Sequence, residues 1–125
     1  MSTVQLQRRN DLEGRLLAFA TTVCKLSGKL PRTQPGRHIC DQLMRSSTGA
    51  AANYAEARAG ESNRDFIHKL KLTLKELREA LFWLSLVSNL ELLTESQMDR
   101  THQEANELIS IFVVSISTAR RHSPT

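Results

Sequence analysis

Reactive side chains are few and scattered in this sequence. Its four histidines, His38, His68, His102 and His122, stand far apart, with no HExxH segment and no second ligand at metal-binding spacing. A di-iron helical bundle would need Glu-x-x-His on two helices, and none occurs. Cys24 and Cys40 form no CxxC and have no base adjacent in sequence, so they read as reduced, buried thiols. No glycine-rich loop follows a strand-like run. The residue types therefore predict a protein that is not an enzyme and holds no metal or cofactor.

Positive charge is what recurs at regular spacing. Arg64, His68, Lys71, Lys75 and Arg78 step by four, three, four and three, which lines them on one helix face. Arg37 and Arg45 upstream, and Arg120 and Arg121 near the C-terminus, extend this set of candidate nucleic-acid contacts, with Arg8 and Arg9 at the N-terminal edge. The chain has 17 Lys and Arg against 13 Asp and Glu, a net charge of +4 and a pI near 9.5, which permits an anionic partner without demanding one. The excess lies in residues 1–60, with nine basic and four acidic side chains, whereas residues 61–125 have eight and nine. The stripe has two readings: a face that neutralises phosphates and releases their counterions, or a solvated face that keeps the protein soluble. The i, i+4 pairs Asp65–Lys69 and Lys75–Glu79 are expected to neutralise part of it, and Arg37, Asp41 and Arg45 to form a similar ladder. Aromatic residues are only 5% of the chain, so recognition would follow backbone and shape rather than base stacking.

Helices must position these residues. The 125-residue chain suits one domain, 1–125, with 40% hydrophobic residues in a Leu-, Ala- and Ser-rich composition. Residues 1–9 are expected to fray. The first helix is predicted at about 10–29, capped by Asn10 or Asp11, with a stripe of Leu12, Leu16, Phe19, Val23, Leu26 and Leu30. Pro31, Pro35 and Gly36 mark a loop. The second is predicted at about 36–59, with Ile39, Leu43, Ser46 or Ser47, Ala50, Tyr54 and Ala57 on one side. Its small residues, and Gly49 above all, point to a closely crossing neighbour. Gly60 is placed to follow the helix.

The third helix is predicted at about 62–88, opened by Ser62 and Asp65, with a core stripe of Phe66, Leu70, Leu74, Leu77, Leu81 and Leu84. The fourth is predicted at about 95–120, opened by Thr94 and Gln97, burying Met98, Ala105, Leu108, Ile109, Phe112, Val113, Ile116 and Ala119. Four helices with short connections predict an all-α, antiparallel up-down-up-down four-helix bundle. No apolar run approaches the roughly 20 residues of a membrane span. The N-terminus lacks a signal-peptide core, so a cytoplasmic protein is expected.

Two further groups stand out. Asn53 and Glu56 are polar residues closing a small-residue segment, either a polar site at a helix crossing or a lock tying the helix end to a neighbouring backbone or to Arg45. Phe82, Trp83 and Leu86 lie off the third helix's main stripe and are candidate oligomer contacts, which would sum several basic faces into one.

Two blocks carry a family resemblance over about residues 11–119. They are Gln42-Leu43-x-Arg45-Ser46-Ser47 with Asn53-Tyr54-Ala55-Glu56-Ala57, then Ser62-x-x-Asp65-Phe66-x-x-Lys69 with Lys75-Glu76-x-x-Glu79 and Trp83-Leu84. In these the chain resembles the four-helix-bundle proteins of 23S rRNA intervening sequences, departing from them at Gly49-Ala50, where Ser followed by Val or Ile is common. The resemblance implies an antiparallel bundle, a homo-oligomer that is pentameric in several members, and no catalytic residues. A related branch, the accessory variability determinant of diversity-generating retroelements, implies a basic barrel that binds nucleic acid and a reverse transcriptase. RNA or DNA binding through basic helix faces is thus the leading expectation. A protein-interaction module, such as a reverse-transcriptase accessory subunit, is the alternative.

Overall fold

The computed structural model describes residues 3–59 and 62–122. Four helices account for nearly all of them: α1 Thr3–Ser27, α2 Gln34–Arg58, α3 Asn63–Asn89 and α4 Glu95–Arg121. α1 packs on α2, α2 on α3 and α3 on α4, with a lighter contact between α1 and α4 closing the bundle. Cross-helix contacts fix the directions. Glu13 meets Arg58, Glu56 meets Lys69, and Asn63 reaches the Ala119 carbonyl at 3.2 Å. Each helix therefore runs against its neighbour, the up-down-up-down arrangement.

The helix starts follow from capping chemistry. Thr33 in extended backbone accepts from the Gly36 amide, and Pro35 occupies the first turn, where its missing N–H costs nothing. Ser62 accepts from the Asp65 amide. Thr94 and Gln97 form a complete reciprocal capping box. α1 begins at Thr3 rather than near residue 10, so over the described residues the expected fraying gives way to helix and neither Asn10 nor Asp11 starts it. Nothing between Thr3 and Leu12 breaks a helix, and Glu13 is engaged by Arg58 instead of a cap. The Arg8 and Arg9 side chains and Gly60 lie outside the described set.

The core is a continuous apolar column. Phe112 is fully buried and meets the Tyr54 ring edge-to-face at 5.4 Å. Leu16, Phe19, Val23, Leu43, Leu77, Leu84 and Leu108 belong to the same buried cluster. α2 buries Ser46, Ser47 and Ala50. Ser46 donates to the Gln42 carbonyl and Ser47 to the Met44 carbonyl, so their hydroxyls stay satisfied within the helix. The α3 core line is Leu70, Thr73, Leu77, Ala80, Leu84 and Val87, whereas the expected Phe66, Leu74 and Leu81 are only half-buried. α3 packs on both α2 and α4, so its fully buried line is flanked by half-buried apolar residues along the two seams. Val113, expected inside, is 44% exposed beside one of those seams. Gly49 faces the Glu76 side chain, its nearest atom 3.4 Å from where a Cβ would stand. A side chain, not a neighbouring backbone, uses that space.

No described helix is long and apolar enough to cross a membrane. Cys24 and Cys40 are free and half-buried. Burial pushes the Cys40 thiol up, aided by the charge of Asp41.

Candidate nucleic-acid interface

Between Phe66 and Ser88, α3 exposes five residues: His68, Lys71, Lys75, Arg78 and Phe82. This single line continues the periodicity from exposed Arg64, and none of the five is acidic. Across the α3–α4 seam, Lys71, Lys75 and Arg78 share a groove with Arg120. Its floor is Leu74, Val113 and Ile116, with Ser117 alongside. Lys71 and Arg78 are seven residues apart, or about 10.5 Å along the helix. None of the four cations forms an ion pair among the described residues, and no carboxylate lines the groove.

The acids of α3 are held elsewhere. Glu76 and Glu79, three residues apart, both turn toward α2, where the Arg45 guanidinium bridges them. Gln42 steadies that guanidinium through bonds of 3.2 Å to its Nε and Nη2. Lys69 pairs with Glu56 of α2. The expected intrahelical pairs Lys75–Glu79 and Asp65–Lys69 therefore do not form, because stronger partners stand on the adjacent helix. Arg37 donates to the Arg32 carbonyl, so the Arg37–Asp41–Arg45 ladder is absent too.

The other seams are neutralised in the same manner. At α1–α2, Arg58 meets Glu13. At α1–α4, Arg15 clasps Glu104 with bonds of 2.6, 3.0 and 3.2 Å and reaches Glu107 at 2.8 Å. That hydrogen bond to Glu104, above all, raises the Arg15 pKa. Among the described residues, three seams thus carry paired charge and the α3–α4 seam carries unpaired positive charge.

The remaining candidates divide. Arg64 and Arg121 are exposed at the bundle end where α3 starts and α4 stops. Arg37 is at the opposite end and Arg45 is engaged by α3, so neither joins the groove. Asn53 donates to the Gly49 carbonyl of its own helix. Glu56 is mostly exposed and reaches Lys69, not Arg45. Phe82 is 59% exposed and meets the Trp83 ring edge-on. Trp83 and Leu86 lie off the buried line of α3, as expected, but are half-buried against the core, and Trp83 also touches His38 and donates to Glu79. Reading one helix at a time missed Arg120 as a groove partner and the apolar floor. Folding α3 against α4 about the 90–94 turn would have brought residues 71–78 beside 113–120. No group of metal-ligating residues forms among the described residues.

The comparisons agree with this architecture. The family model described as 23S rRNA-intervening sequence protein matches residues 12–113. A crystal structure at 1.70 Å of a protein of unknown function from the S23 ribosomal protein family, from Bacteroides thetaiotaomicron, is 30% identical. It superposes with a TM-score of 0.78, covering 84% of this chain and 97% of that one. No curated protein sequence matches the chain.

Proposed function

Since this chain belongs to the 23S rRNA-intervening sequence protein family, we propose that it is a non-enzymatic protein that binds structured RNA through the α3–α4 groove. One observation carries this reading: Lys71, Lys75, Arg78 and Arg120 converge on one concave surface free of carboxylates. Four phosphate neutralisations would give log K a dependence on log salt of about −3 to −4 per chain. The groove has no ring for base stacking, so affinity rests on backbone and shape. Duplex DNA is a weaker ligand in this reading, because the 2′-hydroxyls of RNA add contacts that DNA lacks.

The test is a mobility-shift titration over salt with a transcribed 23S rRNA hairpin, a single-stranded RNA and a DNA duplex of equal length. The hairpin is expected to bind tightest, with affinity falling steeply as salt rises. Absence of binding at low salt, or affinity indifferent to salt, overturns the proposal. The protein works as a homo-oligomer in the cytoplasm in this reading, since four cations on one copy make a weak site and repetition multiplies them. Light scattering of the pure protein checks the assembly. A second reading, docking of a protein such as a reverse transcriptase, is favoured by exposed Phe82 at the end of the basic line. Binding of that partner by a variant that has lost the groove cations would select it.

A further inference from the structure

We infer that Arg45 is a positioning residue for the groove: it holds Glu76 and Glu79 on the α2 side of α3 and so keeps Lys75 free to meet a polyanion. This rests on the RNA-binding reading above and adds to it a residue that lies outside the groove.

The sequence of α3 by itself would quench its own basic face. Glu79 is one helical turn from Lys75, the spacing at which a lysine and a glutamate pair on an isolated helix. Arg45 outcompetes Lys75 for that carboxylate. Its fork reaches Glu79 through Nη2 and Glu76 through Nη1, the latter at 3.3 Å, while Gln42 holds the guanidinium from behind. A planar guanidinium can bridge two carboxylates in this way and a lysine ammonium cannot. The Trp83 indole N–H approaches the same Glu79 oxygen at 3.4 Å, a second contact on the α2 side. Gly49 leaves the room in which the Glu76 side chain lies against α2, its Cδ 3.4 Å from a would-be Cβ. Both carboxylates are partly shielded, at 18% and 31% side-chain exposure, so their neutralisation by Arg45 is less screened than a surface pair.

Without Arg45, two neighbouring carboxylates lose their shared counter-charge, and Glu79 is free to rotate toward Lys75. The groove then loses about one effective cation although none of its lining residues has changed.

The experiment is a salt titration of the 23S rRNA hairpin with wild type, Arg45→Gln, Glu79→Gln and the double variant, each shown to be helical and folded by circular dichroism. Arg45→Gln is expected to bind on the order of threefold to tenfold more weakly, with a salt slope shallower by about one. Adding Glu79→Gln is expected to restore both affinity and slope. Should Arg45→Gln fail to fold, Arg45→Lys takes its place; it keeps the charge but not the fork, and its smaller loss is again cancelled by Glu79→Gln. A loss that Glu79→Gln does not restore makes Arg45 a direct RNA contact and overturns the inference, as does unchanged binding by the Arg45 variant. If wild type does not bind the hairpin, the RNA reading fails and the inference falls with it.

Discussion

Lys69 and Lys75 are the same residue type on the same helix, six positions apart, and their surroundings separate them. Lys69 is paired with Glu56, in a contact that is exposed on the carboxylate side. Such pairs contribute about 0–1 kcal/mol. Lys75 has no acidic partner among the described residues and faces the groove. Replacing Lys75 by Glu should weaken hairpin binding on the order of tenfold and make its salt slope shallower by one to two. Lys69→Glu should leave binding within about twofold and cost no more than about 1 kcal/mol in a urea melt. Equal effects in the mobility-shift series would mean that net charge, not the groove, governs binding. The alignment of Lys71, Lys75 and Arg78 is legible in the sequence because it needs only the period of one helix. Their freedom from neighbouring acids is not, since it depends on Arg45 being in register with Glu76 and Glu79 across two helices. Arg120 is legible as a candidate contact, but its place beside Lys71, Lys75 and Arg78 is not, for the same reason.

At the level of helices, capping residues and apolar spacing make two of the four starts readable, as Ser62 and Thr94 demonstrate. α2 instead starts at Gln34 behind the Thr33 cap, inside the stretch whose prolines and glycine read as a loop, because Pro35 is accommodated in the first turn. The start of α1 is not readable in this way, because a polar N-terminal segment can still be helical when nothing breaks it. Two glycines in α2 separate the reasons a helix keeps this residue. At Gly36 a Cβ would lie 2.0 Å from the Pro31 carbonyl oxygen, which is backbone and cannot move aside without shifting the α1–α2 turn. Gly36→Ala should therefore destabilise the fold by on the order of 2–3 kcal/mol, the range seen for overpacking against a fixed neighbour. At Gly49 the neighbour is the flexible Glu76 side chain at ordinary van der Waals distance. Gly49→Ala should instead stabilise by about 0.5–1 kcal/mol, from backbone entropy in mid-helix. Urea denaturation of the two variants, with unchanged slopes, tests the contrast. A Gly49→Ala loss as large as that at Gly36 would show that Glu76 is held too firmly to yield.

Across the whole bundle, the distribution of paired and unpaired charge sets how the fold responds to salt. Attractive pairs at the α1–α2, α2–α3 and α1–α4 seams favour low ionic strength, while repulsion among Lys71, Lys75, Arg78 and Arg120 favours high. Most of the pairs set one partly shielded group against a more exposed one and are screened in part, whereas the groove cations are exposed and feel screening fully. The net charge of +4 adds to the repulsive side. Raising ionic strength from about 0.01 to 0.15 M shortens the screening length from roughly 30 to 8 Å, comparable with the spacing of the cations along α3. The melting temperature should then rise, by an amount on the order of 0.5 kcal/mol or about 2 °C for a chain of this size. In the Lys75→Glu variant the repulsion is broken at its centre, so the rise should vanish or reverse. A wild-type melting temperature that falls with salt in calorimetry would mean that the paired seams outweigh the groove. The basic surface would then be too dilute to act as one site on a single copy.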